Sequence, residues 1–402
     1  MSELSYMEKL LDGVEVEWRE LGSALVRTKG TNITARRMKT LHKKYAPLKI
    51  FAGGRTVAFV DFKDIPEKDI NRKPSIIVKS RGVIGFEYYA KPFSHKNEMW
   101  SYHSTNKDIN IEYVYYYLKT KESYFQGLAS RMQMPQISTP DTDKLPIPIP
   151  PIRIQNEIVR ILDTFTELTA ELTAELTARE QQYAYYREQL LTFEEGEVQH
   201  LPMGTKGVGE FVRGKGLQKK DFTNAGIGCI HYGQIYTQYN TYAYKTQSFV
   251  SSEFAEKARK AQQGNLIIAT TSENDEDLCK AVAWLGSEEI AISNDACIYK
   301  HTLDPKFVSY FFQTEQFQEQ KRQYITGTKV RRVNADNLAK IKIPVPSMLE
   351  QKRIVSILDK FDTLTTSLTE GLPREIELRQ QQYEYYRDLL LSFPKPEVVA
   401  HD

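Results

Sequence analysis

The first residues with a clear chemical character are a dense set of cations near the start of the chain. Residues 21–60 hold nine lysines and arginines and no aspartate or glutamate. Cations at this density neutralise phosphates and anchor a protein on duplex DNA. The alternative is a solvated surface loop. We predict DNA contact for all nine: Arg27, Lys29, Arg36, Arg37, Lys39, Lys43, Lys44, Lys49 and Arg55.

A second basic set lies in the latter half of the chain and predicts a second DNA contact by the same criterion. The formal net charge of +2 hides both sets, because residues 163–197 carry nine acids against two arginines. The second set comprises Arg213, Lys215, Lys219, Lys220, Lys321, Arg322, Lys329, Arg331 and Arg332.

Two short polar segments could read bases. Base readout needs side chains that reach the groove edges, with arginine favoured for guanine and asparagine or glutamine for adenine. Ser80 and Arg81 follow the β-prone run 75–78. The run 265–269 precedes a longer polar segment, Thr271, Ser272, Glu273 and Asn274. We predict that both segments project toward DNA, the alternative being polar turns without a ligand.

Cofactor chemistry has no comparable signal. The sequence contains no P-loop, no Asn-Pro-Pro-aromatic methyltransferase motif and no strand-linked G-x-G-x-x-G. Gly226 and Gly228 form an isolated pair that is typical of a turn. Cys229, Cys279 and Cys297 lack the close spacing of a metal site, so we expect them to be buried core residues. The sequence therefore predicts no metal and no cofactor in this chain.

An internal repeat indicates which elements position these residues. From Ile147 the sequence reads IPIPPIRIQNEIVRILDTFTEL, and from Ile343 it reads IPVPSMLEQKRIVSILDKFDTL. From Gln181 it reads QQYAYYREQLLTF, and from Gln381 it reads QQYEYYRDLLLSF. Blocks repeated in the same order indicate a duplicated chain. Shorter echoes pair Gly22 with Gly204, 26–30 with 212–216, 111–115 with 305–309, and 6–13 with 186–196, so the two termini are expected to lie close together.

Apolar residues in the repeated blocks alternate in steps of four and three, the pattern of a coiled-coil seam. Two successive steps of four within TELTAELTAELTA form a stutter, which locally unwinds a supercoil. The first helix is predicted from about Pro151 to Phe193, and Gly371 with Pro373 predicts a kink or short break in the second. The seam residues expected to pack the two helices antiparallel are Ile158, Ile161, Phe165, Leu168, Leu172, Leu176, Tyr183, Tyr186, Ile354, Leu358, Phe361, Leu364, Tyr383 and Tyr386.

These patterns predict an α+β fold in which two mixed α/β domains are separated by two long antiparallel coiled-coil helices, in a pseudo-two-fold internal repeat. Four β-prone runs support sheets in the domains, at 56–61, 75–78, 265–269 and 296–299. We assign one domain, with an N-terminal helix stub, to 1–147 and the other to 197–343; the helical spacers are 148–196 and 344–402, the second including the C-terminal tail.

The order of these blocks resembles the specificity subunits of type I restriction-modification systems over nearly the whole chain. The most specific parts are IVxILDxF at 158–165 and 354–361 and the two QQYxYYR blocks. The Thr-Ala-Glu-Leu repeats at 169–176 resemble the IC subclass, in which the number of such repeats alters the spacer between DNA half-sites. The GTKVRR segment at 327–332 resembles a segment common in recognition domains, and 127–131 is its less similar counterpart in the first domain.

The resemblance implies two target-recognition domains that read a bipartite, asymmetric sequence in double-stranded DNA. It also implies partners: two modification subunits that bind S-adenosylmethionine and methylate adenine, and restriction subunits that use ATP and Mg. Arg187 and Arg387 are predicted to meet the modification subunits. No run of about 18 apolar residues occurs and the first residues include acids, so we expect a cytoplasmic protein.

Two other classes of function compete with a non-catalytic DNA-reading subunit. One is a stand-alone methyltransferase or nuclease with atypical motifs, and the lack of nucleotide and methyl-donor motifs argues against it. The other is a coiled-coil assembly scaffold, and two basic sets on twin domains argue against that.

Overall fold

The computed structural model describes residues 14–130, 134–194, 196–367 and 369–394. The chain divides into two compact units, Met1–Ala170 with Glu377–Asp402 (unit 1) and Glu171–Ile376 (unit 2). The predicted echo of the helix end in residues 6–13 lies outside the described residues, and so does the predicted proximity of the chain termini. Leu368, which the apolar pattern places on the same face of the second helix as Leu364, also lies outside them.

Among its described residues, unit 1 contains three small sheets and five short α-helices. A four-stranded sheet has the order β2-β8-β5-β6, a three-stranded sheet the order β4-β3-β7, and β1 pairs with β9. Every side chain from Ser75 to Val78 in β5 is buried, which explains its unbroken apolar run. The strands are β1 Glu17–Glu20, β2 Val26–Lys29, β3 Leu48–Phe51, β4 Val57–Val60, β5 Ser75–Lys79, β6 Gly85–Tyr89, β7 Phe93–His95, β8 Trp100–His103 and β9 Pro146–Ile149. The helices are α1 Leu21–Ala24, α2 Ala35–Leu41, α3 Ile111–Lys119, α4 Glu122–Ala129 and α5 Thr139–Asp143.

Unit 2 has a larger core with the sheet orders β11-β20-β16-β18-β13 and β14-β12-β19-β15 and the pairs β10-β22 and β17-β21. Its strands are β10 Gln199–Pro202, β11 Gly209–Arg213, β12 Ile227–Ile230, β13 Tyr242–Ala243, β14 Ser248–Val250, β15 Lys260–Ala261, β16 Leu266–Ala269, β17 Thr271–Ser272, β18 Ala281–Trp284, β19 Ile290–Ile292, β20 Ala296–His301, β21 Arg331–Arg332 and β22 Lys342–Val345. Its short helices are α7 Tyr232–Thr237, α8 Ser252–Lys257, α9 Pro305–Phe311, α10 Glu315–Arg322 and α11 Ala335–Leu338. All four predicted β-prone runs contain strands.

The first long helix, α6, runs from Ile152 to Leu191 over 40 residues. It begins directly after the proline-rich segment, as predicted, because proline is tolerated at a helix start but not beyond its first turn. The second is interrupted, giving α12 Met348–Thr366 and α13 Leu372–Leu390. Gly371 at the break has φ +88°, a conformation that favours glycine. The predicted break is therefore confirmed.

The same aromatic pair packs the helices in both units. In unit 1, Phe165 stacks on Tyr386 at 5.4 Å between ring centroids. In unit 2, Phe361 stacks on Tyr186 at 5.5 Å and also on Tyr183 at 6.1 Å. Phe165 and Phe361 are equivalent in the sequence repeat, as are Tyr186 and Tyr386. The two copies therefore exchange partners, as a pseudo-two-fold repeat requires.

A buried glutamine fastens each domain to the start of its helix. The Nε2 of Gln155 donates to the carbonyl of Pro150 at 2.6 Å, and its Oε1 accepts from the backbone N–H of Asn110 at 2.8 Å. Asn110 in turn caps α3 by accepting from the N–H groups of Glu112 and Tyr113. One amide thus fixes the start of α3 against the start of α6.

Unit 2 repeats this glutamine contact. Gln351 donates to the carbonyl of Pro346 at 2.9 Å and accepts from the N–H of Asp304, the cap of α9, at 2.8 Å. A tyrosine adds a second tie in each unit, Tyr116 to Asp163 at 2.5 Å and Tyr310 to Asp359 at 2.7 Å.

Some glycines lie so close to a neighbouring backbone or side chain that their positions in the two units can be matched. This matching corrects one of the predicted echoes between the two domains. Gly22 and Gly204 are equivalent as predicted, because each faces the same repeat position, Asp143 or Ala339. The predicted match of 26–30 with 212–216 is wrong by two residues.

The true equivalents in that segment are Gly30 and Gly214. A Cβ on Gly30 would lie 2.4 Å from the carbonyl oxygen of His95, and one on Gly214 would lie 2.0 Å from that of Ser293. No side chain fits at either position, so these glycines fix the register. Lys29, not Arg27, is consequently the counterpart of Arg213.

Alanine at either of these two positions is expected to destabilise the protein. Because the added Cβ meets backbone, Gly30→Ala and Gly214→Ala should each cost about 1–3 kcal/mol of unfolding free energy. Gly53→Ala is the matched control, since nothing lies within 4 Å of a Cβ there. Urea denaturation followed by tryptophan fluorescence measures all three, and equal midpoints would contradict the assignment.

Candidate nucleic-acid interface

Helix α2 carries three of the predicted DNA-contacting cations. Thr34 caps the helix by accepting from the N–H of Arg37 at 3.2 Å, and Met38 is buried beneath it. Burial of Met38 turns the other face outward, so Arg36, Arg37 and Lys39 are exposed. Within the described residues none of these three contacts a carboxylate. They are therefore free to neutralise phosphates.

The other cations of the first basic set fall into two groups. Three are held in ion pairs: Arg27 with Asp143 at 2.7 Å, Lys43 with Asp61, and Lys49 with Glu87 at 3.2 Å. The rest, Lys29, Lys44 and Arg55, are exposed. The three cations outside these ion pairs are better suited to DNA, because a paired cation must first give up its carboxylate. DNA contact for the whole set stays a prediction.

The segment after β5 forms a strand pair of one residue on each side, the antiparallel bridge of Arg81 with Gln136, rather than a free loop. The backbone N–H of Gly82 donates to the carbonyl of Pro135 at 2.9 Å, and that of Ile137 donates to the carbonyl of Ser80 at 3.0 Å. The Ser80 side chain is buried and its hydroxyl donates to the carbonyl of Glu98. This corrects the expectation that Ser80 reaches DNA. Arg81 beside it is exposed.

The equivalent segment of unit 2 has the same construction. Thr271 in β17 pairs with Arg332 in β21, and Ser272 pairs with Arg331. Thr271 and Ser272 are 8% and 9% exposed, so their side chains belong to the strand pair more than to a projecting tip. The Asn274 side chain beyond them donates to Asp277 at 2.7 Å.

The strand pairs identify the true counterpart of the segment at 327–332. The N–H of Val333 donates to the carbonyl of Thr270, as that of Ile137 donates to Ser80. Ile137 and Val333 are 196 residues apart, the spacing of the first repeated block. The predicted counterpart at 127–131 is therefore wrong, and Gln136 occupies the position of Arg332. The pattern of backbone hydrogen bonds was not visible in the sequence, where these segments share little.

Lys321 corrects a second expectation. Lys321 is only 1% exposed, so its ammonium is not available for contact with DNA. The ammonium donates to the carbonyls of Asp275 at 2.7 Å, Leu278 at 2.8 Å and Glu276 at 3.4 Å. Burial lowers the pKa of Lys321. The lysine thus holds the loop that follows β17. The buried residues of α4 are Phe125 and Ala129 and those of α10 are Phe317 and Lys321, so Ala129 occupies the equivalent position in unit 1.

The two adjacent arginines of β21 have different surroundings. Arg331 forms an ion pair with Asp275 at 2.9 Å and donates to the carbonyl of Gly327 at 2.8 Å. Arg332 is exposed, and its guanidinium contacts no carboxylate within the described residues. Arg331 therefore joins the loop to the strand, whereas Arg332 is free to bind a ligand.

A cleft of about 210 Å³ lies beside Arg332. Its lining includes Arg213, Thr271, Asp295, Arg332 and Asn334, a mixture of donors and acceptors. Such a set is suited to the polar edges of bases or to phosphate oxygens.

The remaining members of the second basic set are mostly exposed. Arg322 pairs with Glu315 at 2.6 Å, and the Nε of Arg213 donates to the carbonyl of Asn294 at 2.8 Å. The exposed lysines are Lys215, Lys219, Lys220 and Lys329.

Three further groups were singled out by the sequence. Cys229, Cys279 and Cys297 are free and buried, as predicted. Arg187 donates to Gln313 at 3.1 Å, whereas Arg387 pairs with its neighbour Asp388, and contact of either arginine with a partner stays a prediction. Among the described residues, no helix is both long and apolar enough to span a bilayer.

Two similar domains with exposed cations, joined by long helices, are typical of a DNA-reading protein. Comparison of the sequence with models of known families identifies which family it is. The model of the type I restriction modification DNA specificity domain matches residues 32–179 and 203–378. The chain therefore belongs to the family of type I restriction-modification specificity subunits.

Individual relatives agree with this assignment. The chain is 37% identical to the EcoR124I/EcoR124II specificity subunit of Escherichia coli, with 100% of both chains covered. It is 30% identical to a putative type I restriction enzyme specificity subunit of Haemophilus influenzae, over 97% of this chain and 98% of that one.

Solved structures support the fold. The S subunit from M. genitalium superposes with a TM-score of 0.55 at 16% identity, over 96% of this chain and 98% of that one. A chain from a structure on complex assembly and conformational transition of the type I R-M system gives 0.61 at 12% identity, over 94% and 97%. The predicted fold class is confirmed.

Removing the buried ammonium is expected to destabilise unit 2. Lys321→Met leaves three loop carbonyls without their donor, which should cost about 1–3 kcal/mol of unfolding free energy. Lys329→Met is the control, because an exposed lysine should change stability by less than about 0.5 kcal/mol. Urea denaturation of both variants measures the difference, and a loss of the same size in both would show that Lys321 does not hold the loop.

Proposed function

We propose that the chain reads a bipartite, asymmetric sequence in double-stranded DNA and so directs adenine methylation and restriction by partner subunits. The observation that supports this best is one polar strand pair built twice. Each copy presents an exposed arginine, Arg81 or Arg332, on a domain tied to a helix. The side chains around the two arginines differ, as the two unlike halves of an asymmetric target require.

Each half of the repeat supplies one DNA-reading domain and one helical spacer. Residues 1–147 and 197–343 act as target-recognition domains, each reading one half-site. Residues 148–196 and 344–402 act as helical spacers. Exposed cations on the domains contact phosphates and position each domain, while base contacts supply the sequence.

Chemistry belongs to other chains of the complex in this proposal. Two modification subunits bind the duplicated helical frame, with Arg187 and Arg387 at the contacts, and restriction subunits join them. S-adenosylmethionine is bound by the modification subunits, and ATP and Mg by the restriction subunits. This chain carries no cofactor and is not itself an enzyme. The names of the relatives as specificity subunits of restriction enzymes support this arrangement.

Separating the chain from its partners tests the proposal. The purified chain alone should neither bind S-adenosylmethionine nor methylate DNA. The complex with modification subunits should methylate adenines in one split sequence, which methylome sequencing reports. Methyl transfer by the single chain would overturn it, as would a complex that binds DNA without sequence preference.

The Thr-Ala-Glu-Leu run allows a sharper prediction about the spacer. Helix α6 continues without interruption through residues 169–176, and Leu168, Leu172 and Leu176 are half-buried at steps of four. One added unit after Leu176 lengthens a helix by about 6 Å and turns its far end by about 40°. On DNA of about 3.4 Å per base pair, the unspecified gap should widen by one to two base pairs. The bases recognised should stay the same.

Methylome sequencing of this insertion variant measures the gap directly. The control inserts the same four residues at the half-buried turn of Gly53 and Gly54, where no spacer is lengthened. An unchanged gap, or altered bases at a constant gap, would show that α6 does not measure the distance between half-sites.

A further inference from the structure

We infer that Arg81 and Arg332 each read one guanine, and that Arg331, next to Arg332 in the sequence, only holds the reading strand in place. This inference rests on the proposed function and names the residues that select bases within it. It follows from the hydrogen-bonded register of the two strand pairs.

The register places the two arginines on opposite strands of equivalent pairs. Arg81 lies opposite Gln136 in unit 1, and Thr271 lies opposite Arg332 in unit 2. Arg81 corresponds to Thr271 and Gln136 to Arg332, because the neighbouring hydrogen bonds from Ile137 and Val333 match. Each pair therefore carries one arginine and one neutral polar side chain. Residues directly opposite in such a pair are neighbours, so both arrangements bring a guanidinium to the same place on the domain.

Both guanidinium groups are free to bind. Arg81 and Arg332 are exposed, and within the described part of the chain neither contacts a carboxylate. The Nε of Arg81 donates to the sulfur of Met134 at 2.9 Å, which orients the group, and its two terminal nitrogens have no partner among the described residues. A guanidinium donates two parallel hydrogen bonds to O6 and N7 of guanine, a match that no other base offers.

Arg331 lacks this freedom. Its ion pair with Asp275 and its hydrogen bond to the Gly327 carbonyl engage the Nε and one terminal nitrogen of the guanidinium. Lys321 holds the same loop from beneath, through the carbonyls of Asp275 and Leu278. The two cations fasten the loop to β21 and fix the backbone from which Arg332 extends. A sequence motif with two arginines thus contains one positioning residue and one reading residue.

Replacing each arginine in the complex with modification subunits separates these roles. Arg332→Gln should remove the preference for guanine at one position of one half-site, a loss of about ten- to a hundredfold in discrimination. Arg332→Lys should do the same while keeping the charge, because lysine lacks the planar fork. Arg81→Gln should act on the other half-site only. Arg331→Gln is the matched control, which should lower stability and binding without changing the bases.

Methylome sequencing gives the motif of each variant. For a variant that methylates too weakly, binding to duplexes with each position varied in turn gives the same information. The inference is overturned if the Arg332 variants weaken binding equally at every sequence, or if Arg331→Gln changes the motif. The proposed function fails separately, if the unaltered complex shows no split recognition sequence or the single chain transfers methyl groups.

Discussion

The buried glutamine amide at the junction of domain and helix is the contact on which each unit depends. Gln155 and Gln351 are 0% and 2% exposed, and each satisfies a proline carbonyl and a helix cap at once. A buried amide that lost either partner would leave unpaired polar groups, at a cost of about 1–3 kcal/mol. The amide therefore fixes the orientation of the cap of α3 or α9 relative to the start of the long helix. The rest of the domain that packs on α3 or α9 is oriented in the same way.

On this common frame the two units differ in their chemistry. Glu112 and Lys306 are equivalent residues after the helix cap; Lys306 pairs with Asp359 at 2.7 Å, whereas burial and the nearby Asp163 raise the pKa of Glu112. In both units the tyrosine-to-aspartate hydrogen bond, Tyr116 to Asp163 or Tyr310 to Asp359, is kept. The frame thus tolerates a change of charge beside it, which allows two surfaces of different character on equivalent supports.

The sequence was sufficient to predict the repeat, the extent of α6 and the break near Gly371, because periodic apolar residues and prolines constrain the chain locally. It was not sufficient for single side chains. Lys321 has the composition of a surface cation, and its burial depends on carbonyls 43 to 46 residues away. The match of Gly30 with Gly214 depends likewise on how closely two backbones approach. Such facts arise from tertiary contacts that spacing does not encode.

The exchange of Ala129 for Lys321 bears on how new specificities can arise. The longer loop after β17 is held by an ammonium beneath it, and an alanine cannot supply one. Transplanting residues 273–278 into unit 1 alone would leave their carbonyls without that donor. The loop and the lysine lie far apart in the gene, so recombination within a domain would separate them. We therefore expect whole domains to be inherited together, with exchange falling in the helical frame.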